Sequence, residues 1–307
     1  MSGGPTIALG LVGCGLWGEK VLRDAIQLGA RVWVADPSEE ARARALRIGA
    51  EGVCRLSREL NQVDGLVVAT PASTHYSVIS ELLDRGVPIF SEKPFTLALR
   101  DAQELVRMAA ERIFVLHTWR YHPGVVALKE LLGEGDLGTP ELVRTFRTNW
   151  TSPRTDCDPV WTLLPHDFSI FLELTGSLPP VGFARTERSA GLVVGMLVML
   201  DGAFPCLAEV STRYADKRRE IRVHGSEGIA ELTSDGTHVL LHRGSATSEQ
   251  PRTERIHLGA QTALQREILA VLDYLRGGPA PTSNAEDALR IATRMHEARS
   301  LAGMGVR

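Results

Sequence analysis

The 307-residue chain has no run approaching the roughly 18 consecutive apolar residues that a membrane-spanning helix requires, so no membrane partner is expected. It has no excess of either charge. Lys and Arg number 34 against 37 Asp and Glu, a formal net charge of −3, which excludes the basic field that would hold a nucleic acid. Cysteine is scarce: Cys14, Cys54, Cys157 and Cys206 are the whole set, and none forms a C-x-x-C pair. That spacing excludes a zinc knuckle and a redox dithiol, and no metal is expected. The start of the chain, Met1 to Pro5, shows no basic segment followed by an apolar stretch, so the expected location is the cytoplasm. Internal repeats and low-complexity tracts are missing too, which excludes solenoids and disordered scaffolds.

What is present is alternation. Short apolar runs at 7–12, 31–35, 66–69, 88–91 and 113–117 predict buried strands, and helical spacing fills 16–28, 38–48, 74–85 and 99–110 between them. Strands alternating with helices predict a parallel sheet covered on both faces. The alternation stops near residue 120. Beyond it, helices are predicted at 123–132 and 166–174 and a strand at 141–148. Several strands separated by Gly191, Asp201-Gly202, Gly225, Gly228 and Asp235-Gly236 follow between 181 and 256. Helices at 261–276 and 285–302 close the chain. The expected fold is α/β: a Rossmann dinucleotide-binding domain over residues 1–120, then an α+β substrate-binding domain over 121–307 with an open, mostly antiparallel sheet. An open sheet needs a cover, so a homodimer or homotetramer is expected.

Gly13-Cys14-Gly15-Leu16-Trp17-Gly18 is a G-x-G-x-x-G run that follows an apolar strand and opens a helix. In that context Gly13 makes the tight turn, Gly15 lets backbone approach a pyrophosphate and Gly18 lets helix and strand pack closely. Amides of Leu16 and Trp17 at the helix N-terminus then face the anion. Asp36 ends the next strand about 20 residues on, where a carboxylate accepts from ribose hydroxyls and repels a 2′-phosphate; the same residue also suits a turn before Pro37. The expected cofactor is NAD. NADP stays open, because Ser38, Arg42 and Arg44 follow closely and either arginine could pair with a phosphate, or else belong to a solvated helix face.

Three further segments, Thr70-Pro71-Ala72-Ser73-Thr74-His75, Ser91-Glu92-Lys93-Pro94 and Arg120-Tyr121-His122-Pro123, make the chain resemble the glucose–fructose oxidoreductase, inositol dehydrogenase and MocA family over nearly its whole length. The resemblance implies an NAD(P)-dependent oxidoreductase acting on CH–OH groups. It implies that Thr70, Pro71 and His75 lie along the cofactor near the nicotinamide, that Glu92 meets the nicotinamide ribose, and that Lys93 reaches the substrate, with Arg120 and Tyr121 as further substrate contacts. A lysine at the carboxyl end of a strand lies where open α/β sheets bind ligands, and burial there moves an amine toward the range of acid–base work. Without the resemblance Lys93 reads as an exposed turn lysine.

In Trp161-Thr162-Leu163-Leu164-Pro165-His166-Asp167 the resemblance implies that His166 starts a helix beside the substrate, and imidazole suits proton transfer with a sugar hydroxyl. The stretch is most similar to members from surface-polysaccharide and sugar-nucleotide pathways, whose text reads W-D-L-x-P-H-D. Here Thr162 stands where they have aspartate. The leading expectation is hydride transfer between NAD(P) and a secondary alcohol or ketone of a sugar, sugar nucleotide or polyol. The alternatives are a member that retains NAD and cleaves glycosides by elimination, and a cofactor-binding protein without catalysis.

Overall fold

In the computed structural model, which describes residues 5–151, 157–245, 247–250 and 252–305, the early apolar runs become β1 (Ala8–Val12), β2 (Arg31–Ala35), β4 (Gly65–Val68), β5 (Ile89–Glu92) and β6 (Ile113–Leu116). Of the Met1–Pro5 start, the first four residues lie outside the described ones. One further strand, β3 (Gly52–Cys54), joins them at the sheet edge. Every pairing in the sheet is parallel and the order is β3-β2-β1-β4-β5-β6. The order reverses between β1 and β4, and such a reversal opens the crevice where sheets of this kind bind ligands. Helices α1 (Gly18–Gln27), α2 (Glu39–Ile48), α3 (His75–Leu82) and α4 (Leu99–Ala109) connect the strands. α2 is capped by Ser38, whose Oγ accepts from the Ala41 amide, and ends at Gly49 in the left-handed region.

The chain divides into two compact units. The first holds the residues up to Thr118 together with Thr262–Ala292, and the second holds Trp119–Gln261 with the chain from Thr293 on. The return of 262–292 has a plain cause in α7 (Ala263–Leu275). Its Leu264, Ile268, Val271 and Leu272 are buried among Leu9, Leu11, Phe90 and Phe114, and Tyr274 sets its ring edge-on to Phe114 at 5.0 Å. The start of α8 (Ala285–Leu301) buries Ala285, Ala288 and Ala292 in the other core of the same unit.

The second unit is built on an eight-stranded sheet. Its strands are β7 (Pro140–Trp150), β8 (Val181–Ser189), β9 (Leu192–Leu200), β10 (Cys206–Ser211), β11 (Arg213–Gly225), β12 (Gly228–Leu232), β13 (His238–Arg243) and β14 (Arg252–His257). The order is β14-β13-β12-β11-β7-β10-β9-β8, antiparallel throughout except that β10 runs parallel to β7. Helices α5 (Pro123–Gly133) and α6 (Pro159–Thr175) pack on one face. The opposite face carries Phe183, which is 44% exposed, and Leu197, which is 36% exposed. α6 starts seven residues before the expected 166. Asp158 accepts from the amides of Val160 and Trp161, and Pro159 occupies the first turn, where its missing N–H costs nothing. Pro165 lies inside the helix rather than before it.

Candidate cofactor and active site

The glycine turn has the geometry a dinucleotide requires. Gly13 sits at φ +92°, its amide donates to the Ala35 carbonyl at 2.8 Å, and a Cβ there would meet the Ala69 carbonyl oxygen at 2.8 Å. At Gly18 a Cβ would come within 2.3 Å of the Gly13 oxygen, so any side chain would push α1 off the strand end. Gly15 differs: among the described residues nothing lies within 4 Å of its missing Cβ. Among the described residues, no acceptor faces the amides of Gly15, Leu16 or Trp17. Open space beside orphan donors at a helix N-terminus fits a pyrophosphate. Leu16 is 88% exposed at the rim.

Asp36 is buried directly behind this turn. One carboxylate oxygen accepts from the Cys14 amide at 2.7 Å and the other from Ser38 at 2.8 Å. The carboxylate thus holds the two backbone segments that would flank an adenosine ribose, and each oxygen keeps a lone pair for a hydroxyl. The two arginines raised for NADP are otherwise engaged. Arg42 donates to the carbonyls of Asp36 and Pro37, and Arg44 pairs with Glu19 at 2.7 Å and Glu40 at 2.9 Å. The residues fit NAD.

At the carboxyl end of β5, Glu92 accepts a hydrogen bond from Trp17 Nε1, which ties the Glu-Lys-Pro segment to the glycine turn. Burial pushes the Glu92 carboxyl up to about 7, against the pull of the Trp17 bond and the Lys93 charge. Lys93 follows directly, joined to Pro94 by a cis peptide. His75 is fully buried and reaches the Thr70 carbonyl at 3.0 Å with Nε2 and the Pro94 carbonyl at 2.7 Å with Nδ1. It buckles the Thr70–Pro71 turn to the Lys93–Pro94 turn, while burial keeps its pKa low. Thr74 Oγ1 adds a bond to Thr70 Oγ1 at 2.9 Å. His75 therefore joins two backbone turns.

Sequence reading missed Glu267 of α7. It is fully buried and accepts from Thr118 Oγ1 at 2.7 Å, and burial together with the nearby Glu92 raises its pKa well above the carboxylate range. A single Glu on an amphipathic helix carries no signal of this. Only the packing of α7 reveals that it points inward.

In the second unit, Arg120 gives its Nε to Glu173 at 2.7 Å, and Lys129 reaches the same carboxylate at 2.5 Å. Tyr121 and His122 follow, and the His122 ring stacks on Trp119 at 4.8 Å while capping α5 through the Gly124 amide. Thr162 and His166 lie one turn apart on α6, and the Thr162 hydroxyl donates to the Pro159 carbonyl at 2.9 Å. A side chain at 162 shares the His166 face of the helix. Beside His166, Asp167 is buried and takes Arg147 Nε at 2.9 Å. Among the described residues no helix is long and apolar enough to cross a membrane, and no group of three or more His, Cys, Asp or Glu could hold a metal.

The model of an oxidoreductase family with an NAD-binding Rossmann fold matches residues 7–118. UDP-N-acetylglucosamine 3-dehydrogenase of Acidithiobacillus ferrooxidans is 30% identical over 275 residues, covering 84% of this chain and 85% of the relative. Inositol 2-dehydrogenase of Streptomyces avermitilis is 30% identical over 306 residues, covering 92% and 88%. Among solved structures, a levoglucosan dehydrogenase in complex with NADH and levoglucosan superposes with a TM-score of 0.87 at 15% identity, covering 97% of this chain and 98% of that one, a likeness of fold. These relatives are dehydrogenases and do not favour the elimination or non-catalytic alternatives. With a glycine turn, an Asp36 and a Glu92–Lys93 segment that suit its cofactor, the chain belongs to the glucose–fructose oxidoreductase, inositol dehydrogenase and MocA family of NAD-dependent oxidoreductases.

Proposed function

We propose that the protein interconverts a secondary alcohol and a ketone on the ring of a sugar, sugar nucleotide or related polyol. The observation that carries this is the bond from Trp17 to Glu92, which brings the Lys93 segment to the dinucleotide turn at the carboxyl edge of the sheet. The named activities of the UDP-N-acetylglucosamine and inositol dehydrogenases support the substrate class. Bound NAD⁺ supplies the hydride acceptor. Were NAD⁺ bound, Lys93 would take up the substrate hydroxyl proton in oxidation and return it in reduction. His166 is the second proton-handling group, with Thr162 on its face of α6. Tyr121 is a substrate contact, and Arg120, held on Glu173, fixes the start of the segment that presents it.

Thr70 and Pro71 line the nicotinamide end, with His75 holding their turn. The preferred cofactor is NAD over NADP, because Arg42 and Arg44 have partners already. We place the reaction in the cytoplasm, which suits four free cysteines, and assign a second copy of the chain to the open face of the eight-stranded sheet, to be checked by sedimentation. The deciding experiment incubates purified protein with NAD⁺ and a panel of sugars, polyols and sugar nucleotides, following the near-ultraviolet band of the reduced nicotinamide. Stoichiometric NADH and keto product support the reading. A protein that binds NAD⁺ and never reduces it across the panel overturns it.

A further inference from the structure

Arg147 on β7 and Arg219 on β11 are direct register partners across an antiparallel pair. Both point to the sheet face that α6 covers, as do the buried pairs Thr145–Ile221 and Val143–Val223 on the same strands. Like charges placed directly opposite destabilise a sheet, and buried charge persists only with a partner. One carboxylate, Asp167, pairs with Arg147, and its charge also acts on Arg219. It takes Arg147 Nε at 2.9 Å, and its other oxygen, Oδ1, is buried without a partner among the described residues.

The rest of the donor set is uncommitted. The Arg147 guanidinium lies 4.4 Å over the Trp119 ring, and among the described residues its two terminal nitrogens have no acceptor. Arg219 spends Nη1 on the carbonyls of Thr148 at 2.9 Å and Arg218 at 2.6 Å, and among the described residues its Nε and Nη2 have no acceptor. Burial and the Arg147 charge bring Arg219 down to about 10, with Asp167 opposing. Thr145 Oγ1, two residues along β7 on the same face, is buried without a partner among the described residues. Two forked cations against one anion, with spare donors and the unsatisfied Thr145 hydroxyl on the same face, is the composition of a site awaiting an oxyanion.

We propose that Arg147 and Arg219 form an anion subsite of the second unit that takes a carboxylate or phosphate oxygen of the substrate, with Asp167 holding Arg147 in position. This rests on the sugar-dehydrogenase reading and narrows it to an acidic sugar. The anion is either a carboxylate on the ring, as in a hexuronate, or the phosphate of a sugar phosphate or sugar nucleotide.

The test compares wild type with Arg219→Gln and Arg219→Lys. Arg219 is chosen because its removal relieves the like-charge pair and leaves the Arg147–Asp167 bond intact. The NAD-loaded protein is assayed for turnover of glucose, glucuronate, glucose 1-phosphate and UDP-glucose, and separately for thermal protection by glucuronate and by inorganic phosphate. The expected result is a KM for the acidic substrate raised about 10- to 100-fold in Arg219→Gln, as for loss of a charge-assisted bond. With it come little change in kcat, a partial rescue in Arg219→Lys, and a melting temperature no lower than wild type. Which acidic probe responds tells carboxylate from phosphate. Equal turnover of glucose and the acidic sugars, unaltered by Arg219→Gln, overturns the subsite and leaves the dehydrogenase reading standing. Protection by glucuronate or phosphate that Arg219→Gln abolishes, in a protein that reduces no NAD⁺, supports the subsite and removes the reading. A lowered melting temperature with no change in anion protection makes Arg219 structural and overturns the proposal.

Discussion

Replacing Glu92 with Gln should change how the stability of the ligand-free protein depends on pH. Glu92 is 6% exposed, and burial lifts its carboxyl from 4.5 to about 7. Between those values the folded protein keeps a proton that the unfolded chain has released. Stability therefore falls as pH rises, by about 1.4 kcal/mol for each pH unit. Across the whole window the loss is about 3 kcal/mol, complete once pH passes the folded value near 7. Glu267 shifts in the same direction, partly because of Glu92, so the glutamine removes the Glu92 contribution and eases that of Glu267. Buried His75 works the other way: its pKa is lowered, so stability from that ring rises as pH climbs toward 6.5. That contribution is common to both proteins and cancels in the difference. The assay is urea unfolding of wild type and Glu92→Gln from pH 4.5 to above pH 7. The wild-type curve should fall relative to the variant by about 2–3 kcal/mol over this range. Parallel curves would refute the argument, because they would mean that the carboxylate ionises in water-like surroundings.

Asp36→Ala should lower kcat/KM with NAD about tenfold or more and narrow its advantage over NADP, since the buried carboxylate holds Cys14 and Ser38 and repels a 2′-phosphate; an unchanged ratio would remove Asp36 from cofactor choice. Lys93→Ala should cut turnover about 10²–10⁴-fold while NAD binding, followed by fluorescence titration, stays nearly intact; wild-type kcat would take Lys93 out of the chemistry. Thr162→Asp places a carboxylate one turn from His166 on α6, and should raise the imidazole pKa seen by NMR and move the pH–rate profile upward. A loss of substrate affinity with no pKa change would instead assign Thr162 to substrate contact.

The strands and helices of the first 117 residues were legible because each buried strand is a short apolar run and each helix an amphipathic one, and the glycine turn identifies itself by its place between β1 and α1. β3 was not legible, since Gly52–Cys54 is too short to show a period. The start of α6 was misjudged because Pro165 reads as a helix boundary, whereas the Asp158–Pro159 cap sets the boundary about two turns earlier. Thr162 thereby came onto the same helix as His166.

What the sequence determined by itself is local: period, turn chemistry, caps and the glycine geometry follow from neighbouring residues, and with the Glu-Lys-Pro segment they sufficed for fold class, cofactor and family. Tertiary structure alone decided where distant charges meet. It returned residues 262–292 to the first unit, because the apolar stripe of α7 finds its cover among Leu9, Leu11 and Phe90, and so set Glu267 near Glu92. It placed Arg147 opposite Arg219 through the register of β7 and β11, two strands some 70 residues apart in the chain, and paired Arg147 with a carboxylate from α6. Burial and like-charge proximity are properties of packing. No pattern of adjacent residues encodes them, and the shifted carboxyl groups and the arginine pair appear only once the sheet and helices have closed over them.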